Sequence, residues 1–146
     1  SGAFVSNGIK LKDVYFKLTE FPAQNVFVFL DACFTGGARN ESLIAGRSIS
    51  IKPKEQLLKG NIVVFSASSG NQASLSYTEK KHGMFTYFLI KKIKESGSNL
   101  TLKELNDYIK EKVALESLLI NSKEQNPQTN TSTSIIDKWG KWRLND

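Results

Sequence analysis

The chain has 146 residues, 40% of them hydrophobic, enough to bury the core of one domain and too few for two. No run reaches the roughly 18 apolar residues of a membrane span, no secretory pattern opens the chain, and its one cysteine excludes an intrachain disulfide, so a cytoplasmic protein without a membrane partner is expected. The net charge of +6 raises the alternative of nucleic-acid binding, but the lysines are dispersed (Lys10, Lys12 and Lys17; Lys52, Lys54 and Lys59; Lys91, Lys92 and Lys94; Lys103, Lys110 and Lys112). With no zinc spacing, phosphate loop or RNA-binding aromatic signature beside them, they read as solvated faces, and no nucleic-acid partner is expected.

Residues 1–8 are small and polar and read as a flexible or processing end. From Ile9, the residues Leu11, Val14, Tyr15 and Leu18 recur at helical spacing, which predicts a helix to about Thr19, stopped by Phe21-Pro22. Val26 to Leu30 is a continuous apolar run, the pattern of a strand buried on both faces in a parallel sheet. Residues 38–60 are broken by Gly46, Pro53 and Gly60, with strand-like alternation at 48–52 and a possible helical turn at 55–59.

Asn61 to Phe65 predicts a second buried strand, followed by Ser66-Ala67-Ser68, and residues 69–81 read as an exposed polar loop. A helix is expected from Met84 to Glu95, with Phe85, Phe88, Leu89 and Ile93 facing the core. Thr101-Leu-Lys-Glu104 is a capping-box pattern opening a second long helix through Leu102, Leu105, Ile109 and Val113. Residues 121–134 read as a surface loop around Pro127. Residues 135–144, with Trp139 and Trp142, are expected to return as an edge strand or to dock on the surface; packing or a partner site could account for the two tryptophans. Strands followed by helices give an α/β fold with helices layered on the sheet.

Chemistry concentrates where the first strand ends. Ligands of open α/β sheets bind outside the carboxyl ends of the strands, and Cys33 lies there. A lone cysteine is commonly a small buried hydrophobe, but its neighbours argue for more. Asp31 and Cys33 alternate to one side of the strand and Ala32 to the other. Thr35-Gly36-Gly37 permits a tight turn that leaves amide N–H groups near the sulfur, as an oxyanion site requires. A nearby anion disfavours a thiolate, so Asp31 is better suited to meeting a substrate cation, Arg in bidentate fashion or Lys.

Asp31-Ala32-Cys33-Phe34-Thr35-Gly36 resembles the caspase-like cysteine peptidases, with Asp in place of the Gln of the animal-caspase Gln-Ala-Cys-x-Gly pattern, as in the bacterial caspase-like and metacaspase branch. The resemblance continues through Asn61-Ile-Val-Val-Phe-Ser-Ala-Ser-Ser-Gly-Asn-Gln72 and His82-Gly-Met-Phe-Thr-Tyr-Phe-Leu-Ile90, in the family's order, over roughly residues 9 to 128. It implies a three-layer α/β/α sandwich with a mostly parallel sheet. Cys33 would be the nucleophile and its amide an oxyanion donor, Asp31 would bind a basic side chain, and Ser66 and Ser68 would line the pocket.

Relatives hold calcium through an acidic cluster near residues 38–60. Here only Glu41 and Glu55 offer carboxylates in that stretch, so no metal or other cofactor is expected.

A cysteine peptidase needs a base for its thiol. The one histidine, His82, follows Cys33, whereas the family's catalytic His precedes it and carries a Gly whose amide is the second oxyanion donor. The resemblance therefore implies that residues 1–146 are the C-terminal part of one domain, partnered by an upstream segment or separate chain carrying the His. As in clostripain-like relatives, a cut between His and Cys with autoprocessing would give such a piece; a truncation or an inactive homologue would give it too. Two readings stand: a cysteine endopeptidase acting on proteins or peptides after Arg or Lys, and a catalytically inactive caspase-like scaffold.

Overall fold

A computed structural model of the chain describes residues 9–32, 58–69 and 72–145. In chain order its main elements are α1 (Leu11–Glu20), β1 (Val26–Leu30), β2 (Ile62–Ser66), β3 (Ser76–Tyr77), β4 (His82–Gly83), α2 (Met84–Ser96), α3 (Leu102–Asn121) and β5 (Gln128–Thr131). The end of residues 1–8, and residues 33–57 with Cys33, Glu41 and Glu55, lie outside the described residues.

β1 and β2 run parallel, Val26 opposite Ile62 through to Leu30 opposite Ser66, and β5 pairs antiparallel on the far side of β2. Parallel partners share a face, so Phe27 and Phe29 lie with Val63, Phe65 and Ala67. That face carries the core: Phe29 stacks on Phe65, ring centroids 5.0 Å apart, and both pack with Met84, Phe85, Phe88, Leu102, Leu105, Ile109 and Val113 of α2 and α3. Tyr15, Phe16 and Thr19 of α1 meet Ile62 on the opposite face, around a cleft of about 280 Å³. Helices on both sides of a mixed sheet make the three layers expected of the fold class.

Four expectations are corrected. β1 is half-buried along its whole length rather than fully buried, because among the described residues it is the edge strand of the sheet. Within 69–81, which read as an exposed loop, Ser74 is buried and β3 pairs with β4, while Tyr77 packs edge-on against Tyr87. The supposed surface loop 121–134 contains β5 and the fully buried Gln125; a strand of Gln, Thr and Asn has no apolar alternation to betray it and forms on the free edge of β2. Residues 135–144 form no edge strand. Two 3-10 turns set Trp139 edge-on to Phe65 and Trp142 beside Phe27, and the Trp142 carbonyl accepts from the Leu102 amide at 2.7 Å, so both tryptophans serve packing.

Candidate active site

The parallel register brings the carboxyl ends of β1 and β2 side by side, and the Ala67 amide donates to the Leu30 carbonyl at 2.8 Å just past the last strand pair. Asp31 follows directly, on the face of Phe29 and Phe65 and so towards α2. Its Oδ1 accepts from the Ser74 hydroxyl, and its Oδ2 accepts from the Thr86 hydroxyl at 2.6 Å. Thr86 stands in the first turn of α2, which has no acidic residue there and is preceded by Gly83, a cap without a side chain. Asp31 supplies the negative charge that a helix N-terminus favours. The approach is close: a Cβ at Gly83 would overlap the Asp31 carboxylate, so glycine is needed there for space and not for its φ of −64°.

Ser66 and Ser68 are buried at the same strand end. Ser66 pairs with Leu30, so strand alternation turns it to the face opposite Asp31, and its hydroxyl points to the Gln128 carbonyl at 3.5 Å. The structure thus brings Asp31 and the two serines to one end of the sheet but gives Asp31 different hydroxyl neighbours, Ser74 and Thr86. His82 is exposed on β4, opposite Tyr77. Cys33, the nucleophile and oxyanion donor of the sequence reading, lies outside the described residues, two positions beyond Asp31. Among the described residues no group of three or more His, Cys, Asp or Glu side chains is arranged to hold a metal ion.

Gln125 was missed by sequence reasoning. Its side chain donates to the Ala67 carbonyl at 2.9 Å and accepts from the Leu75 amide at 2.8 Å, while its own amide donates to the Ser117 hydroxyl of α3 at 3.1 Å. Gln72 makes a second tie, accepting from the Asn126 amide at 2.8 Å and the Ser69 hydroxyl at 3.0 Å. A signal for Thr86 and Gly83 existed in the His82-Gly-Met-Phe-Thr segment. For Gln125 there was none, since its partners are distant in sequence.

Fold and site together define a class, an α/β sandwich with its candidate site at the carboxyl ends of parallel strands. Within that class the chain belongs to the caspase domain family of peptidases, whose sequence profile matches residues 3–136. Among solved structures it is similar to caspase-1 from Spodoptera frugiperda, at 17% identity and a TM-score of 0.47, over 70% of this chain and 42% of that one. The chain therefore spans less than half the length of that relative. A search among curated proteins gave no match.

Proposed function

We propose that the chain is the Cys33-bearing, C-terminal part of the catalytic domain of a cysteine endopeptidase that cleaves after Arg or Lys. The observation that carries this reading is Asp31, a half-buried carboxylate at the end of β1, oriented by Ser74 and Thr86 and two residues before the cysteine. A substrate guanidinium or ammonium meeting that carboxylate would put its scissile carbonyl within reach of Cys33. The Cys33 thiolate attacks that carbonyl, the Cys33 amide helps hold the oxyanion, and a histidine from an upstream segment or separate chain takes the thiol proton and returns it to the leaving amine. Ser66 and Ser68 are expected from the sequence to form the wall on the β2 side, but Ser66 turns to the face opposite Asp31, so the hydroxyls beside the carboxylate in this reading are those of Ser74 and Thr86. Among the described residues β1 is the half-buried edge strand of the sheet, a position that suits pairing with a further strand, and this supports an upstream partner.

The test uses the full-length protein and two peptides that differ only in Arg or citrulline before the scissile bond, which have similar shape but differ in charge. Arg is expected to be preferred by at least about tenfold, on the scale of a hydrogen-bonded charge pair, and Asp31→Asn to erase that preference. Equal turnover of both peptides by the unsubstituted protein contradicts the reading.

The same contacts favour a second reading. The Ser74, Thr86 and α2 contacts also account for Asp31 as an internal clamp in a catalytically inactive scaffold. A Cys33 thiol no more reactive than free cysteine in the full-length protein would select the scaffold.

A further inference from the structure

We infer that Gln125 is a positioning residue for recognition of the basic side chain, acting on Asp31 through a closed ring of hydrogen bonds. The inference rests on the specificity reading above. The ring runs from Asp31 back along the chain to the Leu30 carbonyl, which accepts from the Ala67 amide at 2.8 Å. The Ala67 carbonyl accepts from Gln125 Nε2 at 2.9 Å, and Gln125 Oε1 accepts from the Leu75 amide at 2.8 Å. Ser74, the residue before Leu75, donates to Asp31 Oδ1 and closes the circuit.

Only one side chain in the ring bridges two backbone segments, and it must donate to one and accept from the other. A carboxamide does both from one planar group, whereas Glu could only accept and Met could do neither. Gln125 and Ser74 are each no more than 1% exposed, so water cannot replace these contacts cheaply. Gln125 is itself fixed to α3, since Ser117 Oγ accepts from its amide and donates to the Ala114 carbonyl, both at 3.1 Å. The ring holds the Ser74 hydroxyl at a set distance from the ends of β1 and β2. The Asp31 carboxylate therefore keeps one orientation before substrate arrives, and preorganisation of this kind raises affinity by removing an ordering cost.

The experiment compares Arg and citrulline peptides in the full-length protein carrying Gln125→Met, Gln125→Glu, Ser74→Ala or Asp31→Asn, with agmatine titrated calorimetrically as a guanidinium probe that needs no turnover. Gln125→Met and Ser74→Ala are expected to raise KM for the Arg peptide and cut its kcat/KM about tenfold, with the citrulline peptide nearly unchanged and agmatine affinity falling in parallel. Ser74→Thr should restore the preference. Ser74→Ala lies at the far end of the ring and serves if the Gln125 variants do not fold. Loss of activity towards both peptides alike marks a merely structural role and overturns the inference. So does retention of the Arg preference by folded Gln125→Met and Ser74→Ala proteins, while its loss in Asp31→Asn leaves the specificity reading standing. A protein that shows neither Arg preference nor agmatine binding before any substitution contradicts the specificity reading, and this inference with it.

Discussion

Asp31 is held by hydroxyls from two segments far from it in the chain, and the room for it is made by a glycine in one of them. Gly83→Ala is therefore expected to push the carboxylate off Ser74 and Thr86. The φ of −64° at Gly83 suits alanine, so the damage should be confined to the carboxylate and its hydrogen bonds, a loss of about 1–3 kcal/mol of stability. Chemical denaturation measures that loss, and the Arg preference should fall with it; an unchanged preference would separate Gly83 from the site. At this scale the place of Asp31 was legible in the sequence because the apolar run of Val26 to Leu30 ends just before it. Ser74 and Gln125 were not, because a polar side chain in a polar stretch shows its role only through partners 43 and 58 residues away.

Among the elements, α3 was the most legible, and its start is governed by a local rule. Thr101 Oγ1 accepts from the Glu104 amide at 3.2 Å, and Glu104 accepts from the Thr101 amide at 3.0 Å. Thr101→Ala is expected to cost about 1 kcal/mol, read as a lower denaturation midpoint with an unchanged slope. The hydrogen bonds from Thr101 hold the Glu104 carboxyl below its ordinary value, and the bond from Lys103 does the same for Asp107. A carboxylate with a depressed folded pKa stabilises the fold above its unfolded value, about 4, and that contribution is lost as pH falls through the lowered folded value. Amide protection at the start of α3, taken relative to the intrinsic exchange rate at each pH, should therefore fall below about pH 4, and less so in Glu104→Gln; no difference between the two would separate the cap from acid sensitivity. β5 was illegible for the opposite reason: Gln128 to Thr131 becomes a strand through pairing with β2 and the Thr129 hydrogen bond to Asn106 at 2.6 Å, not through a pattern of its own.

Over the whole molecule, the core lies on one face of the sheet under α2 and α3, while the other face carries α1, none of whose residues is fully buried. The apolar run of β1 fixed its identity as a strand but not its burial, because a run cannot report how many neighbours a strand has. Among the described residues β1 is the edge strand of the sheet, and the proposed catalytic account places the base on a segment that would pair there. The measurement that tests the account most directly is labelling of the full-length protein with a peptidyl-arginine chloromethyl ketone, read by mass spectrometry of its peptides. The account expects one label, on Cys33, absent in Cys33→Ala and slowed at least about tenfold in Asp31→Asn, the scale of a lost hydrogen-bonded charge pair. No label on Cys33, or labelling indifferent to Asp31 and matched by a citrulline analogue, would contradict it.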